Sequence, residues 1–293
     1  MVTKAKLAII TACLFWAASF IATKIALASI PPVTVVSLRL IISALCFIIW
    51  MKAKNIKIEL FKNIYLKKLI LLSIFGTGLH YGIQTLGLQY TTASKGGVYA
   101  VTAPITITII AAVFLGEKIT LKKALGVSIA VFGVFMVMGF DTILNFDLKG
   151  NLLGDLLVLT SIVMWGIFTV LGKSLTKKMS ALEITALVTI IGAIYMLPPG
   201  IYEMWRESFS LFSINIRGWS SLLFLGVTCS FLATLLYVYA LSLSESQKVG
   251  VYLYTIPPMT QVIAFIFLNE SIGASLIGGS LIVLSGVYLT EKG

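Results

Sequence analysis

The segment Lys95–Met136 aligns without a gap with Lys248–Leu289, and 16 of the 42 paired positions are identical. An apolar bias yields scattered matches of Leu, Ile and Val, but not Lys, Tyr, Pro and Glu paired in register. The shared frame runs Lys95, Gly97, Val98, Tyr99, Thr102, Pro104, Phe114, Leu115 and Glu117 in the first copy. In the second it runs Lys248, Gly250, Val251, Tyr252, Thr255, Pro257, Phe267, Leu268 and Glu270. If each copy holds an odd number of membrane spans, the two face opposite ways. That is the plan of a secondary transporter, whose substrate site lies where the repeats meet near the bilayer midplane.

Composition supports the membrane reading. Hydrophobic residues make up 59% of the 293 and charged residues 11%, far from the balance of a soluble domain. The excess comes as stretches of about the roughly 17–25 residues that span a bilayer. Ten are read: 6–29, 33–51, 68–90, 94–115, 121–140, 151–173, 181–202, 218–241, 247–268 and 272–290. The expected fold is an all-α polytopic membrane protein of ten transmembrane helices, in two inverted five-helix repeats (1–140 and 151–290) around a central cavity. The connections are short and leave no room for an independent soluble domain.

The net charge of +11 has a topological explanation. With a cytoplasmic N-terminus and alternating helices, 16 of the 22 Lys and Arg residues fall on the inner face, so the positive-inside rule places both termini in the cytoplasm. No basic and aromatic patch remains for a nucleic acid partner; the expected partners are a small-molecule substrate and the lipid bilayer. The first stretch is too long for a signal-peptide core and contains Lys24. Its Trp16 and Lys24 superpose on Trp165 and Lys173 of the sixth stretch at a constant offset. Cys13, Cys46 and Cys229 all fall within spans, without metal-ligand spacing or a disulfide framework, and read as packing residues. No metal or other cofactor is expected.

The motif Leu14-Phe15-Trp16-Ala17-Ala18-Ser19-Phe20, followed by Lys24, resembles the opening helix of EamA-type transporters of the drug/metabolite transporter superfamily. Pro32 through Arg39 to Ala44 resembles their second helix. Gly87-Leu88-Gln89-Tyr90-Thr91-Thr92-Ala93-Ser94, then Pro104, Leu115-Gly116-Glu117 and Gly126, is similar to the signature of one EamA unit. The second copy repeats it more loosely, with Asn269 in place of the Gly before Glu270. The resemblance covers nearly the whole chain. It implies ten helices, five per inverted half, with both termini inside, and it names no substrate. Small multidrug pumps of the same superfamily carry a membrane-embedded Glu in their first helix. Residues 6–29 contain no acid, which argues against proton-driven export of cationic drugs by that route.

Polar residues at membrane depth are costly and mark candidate function. In the third stretch Ser73, Thr77, His80, Gln84 and Gly87 recur at spacings of three and four and share one helix face. His80 is the only histidine and lies near mid-helix; its imidazole can hydrogen-bond substrate or serve proton coupling. The resemblance points to the same position, where some EamA-type amino-acid exporters carry a His. Tyr99 and Tyr252 precede Pro104 and Pro257. Proline inside a span frees backbone groups and kinks or breaks the helix, so these two are expected as gating kinks and the tyrosines as cavity lining. Trp16 and Trp165 lie deeper than an interfacial belt requires; Tyr81, Gln84 and Tyr237 complete an aromatic, weakly polar cavity. Arg39 is read as close enough to the outer surface to snorkel, and Lys24 and Asp155 as lying towards outer ends. Glu117 and Glu270 read as carboxylates favouring the N-termini of helices five and ten.

The expected activity is alternating-access transport of a small metabolite across the inner or plasma membrane, an amino acid first, with export the direction the resemblance favours. Nucleotide sugars, phosphorylated compounds and nucleobases are the rival cargoes. A membrane-embedded enzyme is the rival class, but the chain offers no catalytic constellation. Ten helices enclose a cavity without help, so a monomer suffices.

Overall fold

The computed structural model of the chain describes residues 3–56, 64–100, 102–103, 105–107, 109–110, 120–138, 151–244, 249 and 251–292. Every regular element among the described residues is helical. The first part holds α1 (Thr3–Leu27), α2 (Pro32–Ala53), α3 (Leu66–Gly76), α4 (Gly78–Tyr90), α5 (Ala93–Ala100) and α6 (Leu121–Met138). The second begins with α7 (Asn151–Leu175), α8 (Ala181–Arg206) and α9 (Ile216–Leu223), which continues as a π-helical segment, Phe224–Ala233, into α10 (Thr234–Leu243). A 3₁₀ turn, Val251–Thr255, leads into α11 (Ile256–Leu268), and α12 (Ala274–Lys292) ends the chain.

Among the described residues six helical stretches are long and apolar enough to cross a membrane: Thr3–Leu27, Pro32–Ala53, Leu66–Tyr90, Asn151–Leu175, Ala181–Arg206 and Ile216–Leu243. Three shorter apolar helices, Ala124–Val137, Ile256–Leu268 and Ala274–Gly286, fall where the fifth, ninth and tenth spans are expected. The expected span 94–115 is described as α5 and a few helical residues beyond it; its Pro104 lies outside the described residues.

Helix α1 runs through the middle of the bundle, against α4, α5, the π-helical segment, α10 and α11, while α2 packs on α8 and α4 on α7. The N-terminus of α2 is capped from a distance. Buried Glu203 of α8 accepts the backbone N–H groups of Val33 (3.2 Å) and Thr34 (2.7 Å) and the Thr34 hydroxyl (2.8 Å). A carboxylate there answers the unpaired donors and the positive end of the helix.

The third span is not the continuous helix that its periodicity suggests. It breaks at Thr77, with φ −133° and ψ −84°, between Gly76 and Gly78. Tyr195 of α8 inserts its hydroxyl into the break. It accepts the Leu79 N–H at 3.1 Å and donates to the Ser73 carbonyl at 3.0 Å, satisfying backbone groups that an apolar environment would leave unpaired. Glycine is needed at 78, because a Cβ there would lie 2.0 Å from that hydroxyl oxygen. Tyr195→Phe keeps the ring and removes both bonds. We expect it to lower stability by about 1–3 kcal/mol, read as a fall in the thermal midpoint of the detergent-solubilised protein. An unchanged midpoint would mean that the break holds without the hydroxyl.

Candidate functional site

The break at Thr77 re-aims the chain, so α4 enters the bundle centre with one face inward. His80, Tyr81 and Gln84 on that face are all buried. They line a cavity with Trp16, Ser19 and Phe20 from α1, Ile162 and Trp165 from α7, and Leu253 and Ile256 from the turn and helix at 251–268. Its free volume is about 50 Å³, room for a few waters at the roughly 10–15 Å³ that each requires.

One wall is aromatic. Trp165 stands edge-on to Trp16, centroids 5.1 Å apart at 82°, and lies 5.2 Å from Tyr237 and 5.3 Å from His80. Tyr237 also packs on Trp16 at 5.1 Å, and its hydroxyl meets the Thr169 hydroxyl at 3.0 Å. Edge-to-face and tilted rings at these distances attract beyond their burial. They fix the indoles in place while leaving Trp16 half-buried at the cavity edge. Nδ1 of His80 is 2.8 Å from the Ser161 carbonyl oxygen. A carbonyl only accepts, so Nδ1 carries the hydrogen and a neutral ring keeps Nε2 as an acceptor. The Gln84 amide makes no hydrogen bond to another described residue, which leaves its donors and acceptor available to a ligand.

The cavity lining also includes Arg39, beside Tyr81. Arg39 of α2 does not snorkel: it is 2% exposed and lines the cavity. Its Nε donates to the Ser230 hydroxyl at 2.9 Å, and its guanidinium carbon sits 3.9 Å above the centre of the Tyr81 ring, a close cation–π contact. Ser230 belongs to the π-helical segment, and such segments recur at functional sites. Thr234, just past the segment, bonds back to the Cys229 carbonyl at 3.2 Å and faces the Tyr81 hydroxyl at 3.5 Å.

Six of the expected residues thus come together. Trp16, His80, Tyr81, Gln84 and Trp165 line the cavity, and Tyr237 backs the aromatic wall. Tyr99 does not reach it. Its side chain is fully buried next to Asp155, which pairs with Lys95 at 3.0 Å and accepts the Thr91 hydroxyl. Asp155 lies near the start of α7, towards the helix end as expected, and there it is buried and paired. Tyr252 is half-buried and is not among the residues that line this cavity; its neighbours Leu253 and Ile256 are. Pro257 does not kink a helix either. It stands in the first turn of α11, where a missing N–H is harmless, and the span is broken there by the 3₁₀ turn before it. The polar stripe of the third span also divides. Ser73 and Thr77 bond each other (3.2 Å) and the Val188 carbonyl (2.8 and 3.4 Å), and Gly87 packs against Gly154.

Two further charges have structural work. Lys24 donates to the carbonyls of Leu88 and Thr91, both at 2.8 Å, and Lys173 to those of Leu241 and Ser244. Each lysine caps the C-terminal carbonyls of a helix. Glu270 does not serve the helix that follows it. It accepts the N–H groups of Ala93 (2.8 Å) and Ser94 (2.9 Å) at the start of α5. Asn269 makes this reach possible by ending α11 in the left-handed region, φ 53°. Gly and Asn tolerate that conformation best, which accounts for Asn269 where the first copy has Gly116.

Comparison with known proteins gives the broad class. The sequence profile of the EamA-like transporter family matches residues 3–139 and again 152–291. An "uncharacterized transporter" of Archaeoglobus fulgidus is 30% identical over 282 residues, 95% of each chain; a second from that organism is 29% identical over 99% of this chain and 98% of its own. The uncharacterized transporter YoaV of Bacillus subtilis is 28% identical over 98% and 96%. A solved crystal structure superposes with a TM-score of 0.70 over 98% of this chain and 96% of its own, at 16% identity, a likeness of fold. The chain belongs to the EamA-like transporter family and is a multi-pass membrane protein.

Proposed function

We propose that this member of the EamA-like transporter family is a secondary carrier that exports a small metabolite, an amino acid first, across the cell membrane by alternating access. It spans the membrane ten times in two inverted halves, 1–140 and 151–290, with both termini cytoplasmic. The observation that carries the reading is a small cavity built from both halves and lined by aromatic and polar side chains together. Helices α1, α2 and α4 supply Trp16, Arg39, His80 and Gln84; α7 and α11 supply Trp165 and Ile256. Sites of this make-up, where repeats meet and helices are broken, are where carriers hold substrate.

Pairs of equivalent contacts support the two-fold plan. Lys24 caps the carbonyls of residues 88 and 91 as Lys173 caps those of 241 and 244. The break at Thr77 and the π-helical turn around Ser230 fall at repeat-matched positions, with the 153-residue offset that separates Lys95 from Lys248. The small size of the cavity favours a small cargo over a nucleotide sugar.

The test is uptake of labelled amino acids by proteoliposomes. Saturable flux is expected for the wild type, and His80→Ala should cut it about tenfold at unchanged folded yield, by removing a hydrogen-bonding group from the wall. Equal flux through the wild type and His80→Ala would remove His80 from the site. Absence of saturable amino-acid flux in the wild type would rule out the amino-acid assignment.

A further inference from the structure

We infer that Arg39 anchors a single carboxylate of the transported molecule, which makes the substrate a monocarboxylate or zwitterion and not a phosphate ester. The inference deepens the carrier reading and rests on it, since the cavity must be the substrate site.

A buried guanidinium at membrane depth is expensive unless it is paired. Among the described residues Arg39 has no carboxylate partner: the ion pairs are Lys95–Asp155 and Arg206–Glu207, and Glu203 and Glu270 are taken up by backbone N–H groups. Of its five N–H donors, one goes to Ser230. The terminal nitrogens, carrying four, make no hydrogen bond to another described residue, and they belong to a side chain that lines the cavity. The Tyr81 ring and the Ser230 hydroxyl fix the plane of the fork, so a ligand meets it already oriented. A planar fork with two parallel donors fits a carboxylate bidentately.

Charge balance sets the valence. Among the described residues the cavity lining holds one permanent cation and no anion. A monocarboxylate brings it to neutrality and a zwitterion leaves only its own ammonium to be met by the indoles, whereas a phosphate dianion would leave a net negative charge in an apolar, aromatic enclosure. The repeat shows that the cation is a departure from symmetry. At the 149-residue offset of Trp16 from Trp165, Arg39 superposes on Val188. In the second half the Val188 carbonyl accepts from Ser73 and Thr77, whereas in the first the Arg39 side chain donates to Ser230. The common scaffold thus needs no charge at this place. In the same lining, Trp16 and Trp165 suit an apolar side chain or an ammonium group, and Gln84 supplies a neutral hydrogen-bonding group.

The deciding experiment compares amino acids with their amides, which keep side chain and ammonium but lose the carboxylate charge, and with 2-oxo acids, which keep the carboxylate and lose the ammonium. Binding by thermal stabilisation and tracer flux in proteoliposomes are both measured. Wild type should prefer acid to amide by about tenfold or more. Arg39→Gln should abolish that preference, bringing acid binding down to the level of amide binding in the same variant, and Arg39→Lys should retain part of it. The wild-type comparison stands even where Arg39→Gln folds poorly. Equal binding of acid and amide by the wild type, or a preference that survives in Arg39→Gln, overturns the anchor; amino-acid flux in the same preparation would leave the carrier reading intact. Movement of 2-oxo acids but not amino acids, dependent on Arg39, upholds the anchor and overturns the amino-acid assignment. No binding or flux of any carboxylate overturns both.

Discussion

Trp165→Ala is expected to weaken substrate binding thirty- to a hundredfold, a loss of about 2–3 kcal/mol, and to lower the thermal midpoint as well. The ring is 7% exposed and is the hub of the aromatic wall, touching Trp16, His80, Tyr237 and, at 4.9 Å, Phe168. Each such pair contributes about 0.5–1.5 kcal/mol beyond area burial, and Trp→Ala in a packed interior costs about 3–5 kcal/mol in all. Without the indole, Trp16 loses its edge-on partner and His80 its backing, so both contacts with the ligand loosen together. Trp165→Phe retains a ring at the hub and should keep KM within a few-fold. The check is KM for the transported species in proteoliposomes beside the midpoint in detergent. A Trp165→Ala protein with wild-type KM and a lower midpoint would assign the residue to packing alone.

The sequence made the aromatic wall legible for a definite reason. Spacing of three and four puts His80 and Gln84 on one helix face, and the repeat offset puts Trp16 opposite Trp165 and Tyr237 on the position of Gln84. Periodicity and repeat register are long-range statements, and both concern which face a residue takes. Arg39 escaped because depth along a helix, which suggested snorkelling, says nothing about face. A signal was present: Val35, Val36, Arg39, Leu40, Ser43 and Phe47 recur at helical spacing, and all are buried in the structure, so the arginine lies on the packed side of α2. Tyr99 and Tyr252 show the converse error. Identity in register shows that two positions are equivalent, and packing selects for that as well as binding. The break at Thr77 was hidden because Gly76-Thr77-Gly78 sits within an unbroken apolar run, and only the inserted Tyr195, 118 residues later, makes a break there tolerable.

Gly286→Leu is expected to reduce stability by about 3 kcal/mol, at the upper end for overpacking, and to leave little folded protein after mild heating. Helices α6 and α12 pack backbone against backbone. A Cβ at Gly286 would lie 2.4 Å from the Ala130 nitrogen and 2.6 Å from the Gly126 carbonyl oxygen; one at Gly133 would lie 2.6 Å from the Val283 nitrogen; one at Gly279 would lie 3.0 Å from the Gly133 carbonyl oxygen. The obstructing atoms are backbone, so no rotamer change relieves the clash and the helices must part. In lipid, helices are held by close packing more than by hydrophobic exclusion, so separation forfeits contact along the whole seam. The repeat gives the seam its form: Gly126 and Gly279 are equivalent, as are Gly133 and Gly286, and the first glycine of each copy meets the second of the other, Gly126 with Gly286 and Gly279 with Gly133. Part of the repeat identity is therefore a self-complementary packing surface. Adding Gly133→Leu to Gly286→Leu should cost less than the sum of the two, because both open one seam. The seam contributes no described residue to the cavity lining, so the surviving protein should keep its KM while the folded amount falls, whereas Trp165→Ala changes both. A monodisperse Gly286→Leu protein with an unchanged midpoint would show that the two helices do not meet this closely.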